Sequence, residues 1–202
     1  MPKTEAVICF LLKKAAPQSL GKTALIKLCY FADLENTRRF GASITESAWE
    51  RDEYGAVAYE IPNTAREIAG VDVTDHPTHT GKHGTDFCAG ERLSDHEWDL
   101  SINERAVLDY IWAKYGRRSS VSLGAESKKT QPWIAAEKAG TKELDLSVVA
   151  PEPESRFAHF ARVLEGVDLS VRGTPEEIAA LEDETERFMA PFRLEALSNG
   201  GC

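Results

Sequence analysis

Apolar positions recur at helical spacing from the start of the chain. Val7, Ile8, Leu11 and Leu12 lie within the uninterrupted run Ala6 to Leu12 and predict a helix over Thr4 to Ala16, ended by Pro17. Ser19 is placed to cap a second helix that runs to about Phe40 and stops at Gly41. Leu25, Ile26, Leu28, Cys29, Tyr30, Phe31, Ala32 and Leu34 cover more than one stripe of that helix, so it should be central and surrounded by others. From Ile44 to Tyr54 the pattern becomes irregular or extended. Ala58 to Ala69 can form a third helix if Pro62 falls in its first turn. Val71 to Leu93, rich in Thr, Gly, His and Asp, reads as a loop or a short β-hairpin.

Helical patterning then returns. Ser94 with Glu97, and Ser101 with Glu104, both match a capping box, and one of them should open the helix carrying Val107, Leu108, Ile111 and Tyr115, which ends at Gly116. Short helices over Val121 to Ser127 and Pro132 to Ala139 follow, with Gly140 as a stop. Ala150-Pro151-Glu152-Pro153 breaks the pattern. Beyond it Phe157, Phe160, Ala161 and Leu164 repeat helically, and Thr174 to Glu177 forms another capping box with Pro at the first helical position. The expected organisation is a mainly α domain with a small β-hairpin or sheet element over residues 1–150. An acidic helical C-terminal extension over residues 151–202 follows it.

Composition narrows the classes of function. With 42% hydrophobic and 28% charged residues the chain is ordinary for a globular protein, and its longest apolar run is far below the ~20 residues of a membrane helix. Glu5 before that run and Lys13-Lys14 after it do not fit a signal peptide, so the cytoplasm is the expected compartment and no membrane partner is expected. Cys9, Cys29, Cys88 and Cys202 show no C-x-x-C spacing and read as reduced thiols. Net charge is −9, and residues 151–202 hold 11 acidic against 5 basic side chains. A nucleic-acid partner is therefore disfavoured, and Arg38-Arg39, Arg117-Arg118 and Lys128-Lys129 read as short solvated clusters.

Candidate chemistry is sparse. His76, His79, His83 and Cys88 offer imidazole and thiolate donors suited to zinc, the basis of an alternative reading as a metal-dependent enzyme. They lack the paired spacing of familiar zinc sites, and no metal or other cofactor is assigned. No G-x-S-x-G nucleophile motif occurs. Gly21-Lys22-Thr23 resembles the end of a phosphate loop, but the Gly-rich cradle before it is missing, so it reads as a helix start. Asp33 and Glu35 near Arg38 and Arg39 fit a solvated helix end. Gly55 is placed for positive φ or a close backbone approach, beside the large amphipathic side chains of Trp49 and Tyr54. No catalytic residue is assigned, and the chain is not expected to be an enzyme.

Several of these residues form an ordered series: Lys27-Leu28, Tyr30, Ala32-Asp33, then Gly41, Ile44-Thr45 and Tyr54-Gly55-Ala56-Val57, then Tyr115-Gly116 and Pro132-Trp133. In this order and spacing, over about residues 5–140, the chain resembles the Panacea domain family of SocA-like antitoxins. Ala56 stands where that family usually has Pro, and Lys128 where it often has His. The resemblance implies a helical domain that binds and neutralises a cognate toxin protein, directly or by delivering it to a cytoplasmic protease. Tyr30, Asp33, Trp49, Tyr54, Gly55 and Trp133 become the expected partner-binding residues. An acidic surface would suit a basic toxin. A phage or mobile-element protein with some other interaction role is the remaining alternative.

Overall fold

The computed structural model describes residues 3–77, 83–93 and 99–151. The apolar run near the N-terminus forms α1 (Lys3–Ala15), in which Ala6 to Leu12 are all buried. It is covered on several sides, by the helices and sheet named below. The chain does not pass straight into the next helix through a Ser19 cap. Leu20–Gly21 are drawn into a two-residue strand, β1, whose pairing holds them extended, and α2 (Lys22–Phe40) starts only after it. Gly21 occupies the N-cap with no side-chain capping bond.

Helix α2 is central, as its wide apolar coverage predicts. Its residues Leu25 to Asp33 are buried without a gap. Gly41 ends it in the left-handed conformation (φ 80°) and donates its N–H to the Thr37 carbonyl. A hairpin follows, β2 (Glu50–Asp52) and β3 (Gly55–Val57), paired Arg51 to Ala56. Helix α3 (Glu60–Glu67) is shorter than expected at both ends. Pro62 lies in its first turn, and Ile68 is already extended toward the next strand.

The 71–93 region is more regular than a loop. β4 (Val71–Pro77) and β5 (His83–Ala89) pair along all seven residues, and β1 joins the far side of β5 through Leu20–Phe87 and Gly21–Asp86. The order is β1-β5-β4, all antiparallel. Phe87 is fully buried and fastens this sheet to the helices.

Of the two candidate capping boxes, Ser101 opens α4 (Ile102–Tyr115): its Oγ accepts from the Glu104 N–H at 3.2 Å, and its own N–H donates to Glu104 Oε2 at 2.7 Å. The Ser94 box lies outside the described residues. The last helices are α5 (Ser120–Ser127) and α6 (Gln131–Ala139), the latter ended by Gly140 at φ 70°. A 3-10 turn over Leu146–Val149 follows. Helices α4 and α5 both pack on α2. The fold class is mainly α with a small antiparallel sheet. Among the described residues no helix is long and apolar enough to cross a membrane. The expected extension over 151–202 lies outside the described residues apart from Pro151.

Candidate functional site

The short loop after α2 is held by one carboxylate. Asp33 Oδ1 accepts from the backbone N–H of Ile44 at 2.8 Å and of Thr45 at 2.9 Å. Its Oδ2 accepts from Trp49 Nε1 at 2.9 Å and from the Thr45 hydroxyl. Burial pushes the Asp33 carboxyl above its ordinary range, and these four donors oppose that shift. Tyr30 closes the arrangement. Its ring meets Trp49 edge-on at 5.2 Å, and its hydroxyl shares a 2.7 Å hydrogen bond with Thr130. Burial pushes the Tyr30 phenol up to about 12. Tyr30, Asp33 and Trp49 are all buried, so these bonds lie in the interior.

Trp49 leads directly into β2, and the β2–β3 hairpin is gripped from both sides. Along β2, Arg51 N–H donates to Lys142 O at 2.7 Å, and Leu144 N–H donates to Trp49 O at 2.8 Å. Along β3, helix side chains replace a neighbouring strand: Ala56 N–H donates to Ser127 Oγ at 3.2 Å, and Lys27 Nζ donates to Ala56 O. An edge strand satisfied in this way offers no backbone for further pairing at that residue. At the turn, Lys128 Nζ donates to Glu53 O at 2.6 Å. Gly55 has φ +94°, and a Cβ there would lie 2.2 Å from Ser127 Oγ and 2.8 Å from Gly124 O. The turn therefore lies backbone to backbone on α5, as the expected positive φ or close approach at Gly55 requires.

A groove of about 660 Å³ opens beside this hairpin. Its walls include the N-terminal turn of α2 at Lys22 and Thr23, the hairpin, the β4–β5 sheet and the start of α5. Tyr54, Tyr59 and Val121 border it and are 56%, 58% and 84% exposed. Lys27 also lines it, although only 2% of that residue is accessible. Burial pulls the Lys27 amine down to about 8, partly countered by the nearby Asp52 carboxylate and reinforced by Lys128.

The family model for the SocA-like antitoxins, Panacea domain, matches residues 25–134, more than half of the chain. The chain belongs to this family. Its matched segment begins inside α2 and ends just after the Pro132-Trp133 pair, so it spans the Asp33 network, the hairpin and most of the groove wall. No curated protein and no solved structure matches the chain.

The six expected partner-binding residues of this Panacea domain divide sharply. Tyr54 is exposed at the groove, whereas the side chains of Tyr30, Asp33, Trp49 and Trp133 are buried, as is Gly55. Two cations approach the Trp133 ring, Arg51 at 5.1 Å and Lys128 at 5.8 Å from its centre. Thus the residues that carry the family pattern place the hairpin, and Tyr54 is the member of the six that reaches solvent. Ala56, standing where the family usually has Pro, uses its N–H on Ser127, a bond Pro could not make. Lys128, at the position of a frequent family His, clamps the turn through Glu53.

Sequence reasoning missed Tyr59 and Val121 as groove residues. An aromatic five positions after Tyr54 was the available clue to the first, but only the fold shows that both border one groove. The histidine reading does not assemble. Pro77 pairs with His83 and His76 with Gly84, so the two histidines sit on successive rungs whose side chains alternate between faces. His76 Nε2 lies 3.3 Å from Asp86 Oδ2. Cys88 is five residues beyond His83, ~17 Å along the strand, with its sulfur near the carbonyls of Pro17 and Gln18. His79 lies outside the described residues. Among the described residues no three His, Cys, Asp or Glu side chains are grouped to hold a metal ion. Gly21-Lys22-Thr23 is a helix start, as expected. Cys9 and Cys29 are buried, and burial raises both thiols, Cys9 to about 11.

Proposed function

We propose that this chain is an antitoxin that binds and neutralises a cognate toxin protein, with the groove beside the β2–β3 hairpin as its contact surface. The observation that carries the reading is the clustering of exposed Tyr54, Tyr59 and Val121 around one concave surface on a turn gripped by helix side chains. Exposed tyrosines on a rigid support contribute large contact area at little entropic cost, which is why they dominate protein interfaces. Membership of an antitoxin family gives the partner its class. Tyr30, Asp33, Trp49, Gly55 and Trp133 serve this function by holding the surface in shape. In this reading the acidic extension over 151–202 adds specificity, and the protein acts in the cytoplasm without catalysis of its own. Delivery of the captured toxin to a protease is compatible with this arrangement and forms part of the same proposal.

Co-expression tests it. A small neighbouring open reading frame should be toxic alone and tolerated with this chain, and Tyr54→Ala/Tyr59→Ala should lose protection while remaining folded. A toxic neighbour that the double variant still neutralises would move the contact surface elsewhere. Absence of any toxic neighbour would remove the antitoxin role.

A further inference from the structure

The three basic pairs that look isolated in sequence do not stay isolated in the fold. Arg38 and Arg39 close α2, Lys114 closes α4 and Arg118 follows it, while Lys129 follows α5. Because α4 and α5 both pack on α2, these ends meet. Arg39 lies 4.9 Å from the Tyr110 ring centre, and Lys114 lies 5.2 Å from the same ring. Lys114 and Arg118 then share the Tyr115 ring, at 5.1 and 5.2 Å. Arg118 and Lys129 share the Glu126 carboxylate, at 4.0 and 2.9 Å. Arg38 and Arg39 share Glu35. Among the described residues this continuous strip joins five cations to two carboxylates, in a chain whose net charge is −9. It is open to solvent: the side chains of Arg38 and Lys129 at its two ends are 60% and 69% exposed.

Cations at helix C-termini are favoured by the helix dipole, and that explains each residue singly. It does not account for the rings that hold neighbouring cations side by side, so that their like charges are presented together. Tyr115 is itself stacked on Phe31 at 4.3 Å, which ties the strip to α2. We propose that this strip is a second docking surface, for an acidic segment of a partner protein, separate from the groove. The groove uses the start of α2 and the strip its end; Lys22 and Arg39 are ~26 Å apart along the helix, far enough for both surfaces to be occupied at once. A protein segment suits it better than nucleic acid. Glu35 and Glu126 interrupt the cations, so an unbroken run of phosphates would meet carboxylates, and the field of the whole chain opposes a polyanion. A short acidic segment needs only a few local pairs.

The probe is fluorescein-labelled decaglutamate, with a labelled 20-base-pair DNA duplex as the competing class, followed by anisotropy on the full chain. Decaglutamate should bind, weaken with added salt, and lose at least tenfold in affinity in Arg39→Gln/Lys114→Gln/Arg118→Gln. The control Arg92→Gln/Lys138→Gln/Lys142→Gln removes the same charge elsewhere and should lose less than threefold. Equal losses in both variants, or tighter binding of the duplex than of the peptide, would overturn the proposal. Should the strip variant unfold, amide chemical shifts of the unmodified protein answer instead. Perturbation by decaglutamate centred on Tyr110 to Arg118 supports the strip, and perturbation centred elsewhere rejects it. Neither readout depends on the groove or on a toxin, so this idea and the antitoxin reading can fail separately.

Discussion

Helix α2 buries two opposite charges, Lys27 and Asp33, that do not serve as each other's partner. Asp33 receives four hydrogen bonds, all of them from uncharged donors on the segment from Ile44 to Trp49. Lys27, with three N–H donors, has one hydrogen bond, to the Ala56 carbonyl, and borders the groove. The contrast separates two uses of a buried charge. A carboxylate saturated by neutral donors organises a loop and has no capacity left for a ligand. An ammonium with a single neutral acceptor carries a desolvation cost that the fold has not removed, next to the surface proposed for the partner.

The largest expected effect breaks the saturated side. Asp33→Ala leaves the Ile44 and Thr45 amides and the Trp49 indole N–H without their acceptor, and should cost about 3–5 kcal/mol by chemical denaturation at pH 7. A loss under about 1 kcal/mol would mean that the loop is held by something else.

On the other side, the lowered Lys27 amine makes stability depend on pH. The ordinary lysine value of 10.5 falls to about 8 in the folded chain, so below pH 8 both states carry the proton and the full cost is present. As pH rises from 8 toward 10.5 the folded state releases its proton first, and the chain gains stability relative to Lys27→Met. The difference between the two proteins should move in favour of the unmodified chain by about 3 kcal/mol between pH 7 and pH 10.5. A difference independent of pH would show that the ammonium is well solvated.

Gly55→Ala tests the link between these interior groups and the surface. Positive φ and a Cβ driven against Ser127 Oγ should cost about 2 kcal/mol and shift the amide resonances of Glu53 to Ala56. Retained shifts and full stability would remove the close contact with α5. The smallest effect on stability belongs to Tyr54→Ala and Tyr59→Ala, each expected within about 0.5 kcal/mol, because the side chains are exposed. Their effect on partner affinity should instead reach about 2 kcal/mol, measured by calorimetry once the toxin is in hand. Loss of stability without loss of affinity would reverse the division drawn between Asp33 and the groove rim.

Much of the helical framework was legible because it follows local rules. The unbroken apolar run of α1, the wide apolar coverage of α2, the Ser101–Glu104 box and the Gly41 and Gly140 stops each act within a few residues of themselves. The family pattern was legible for the same reason: its residues recur in order along one strand of sequence. β1 was not, since Leu20-Gly21 is extended only because β5 lies beside it, 65 residues on. Nor was the full length of the β4–β5 hairpin, because alternation marks only Val71 to Thr74 and Thr85 to Phe87, and the strands are polar toward the turn.

What the chain's sequence determined by itself was therefore most of its helices, its family and the places where charge and glycine stood out. Burial was left to the tertiary structure. Whether Asp33 faces solvent or four donors, whether Trp133 meets a partner or two cations, and whether Arg39, Lys114 and Arg118 stand apart or touch the same rings are all decided by how α2, α4 and α5 pack. A side chain's role depends on the dielectric and the donors around it, and those come from residues far away in the chain.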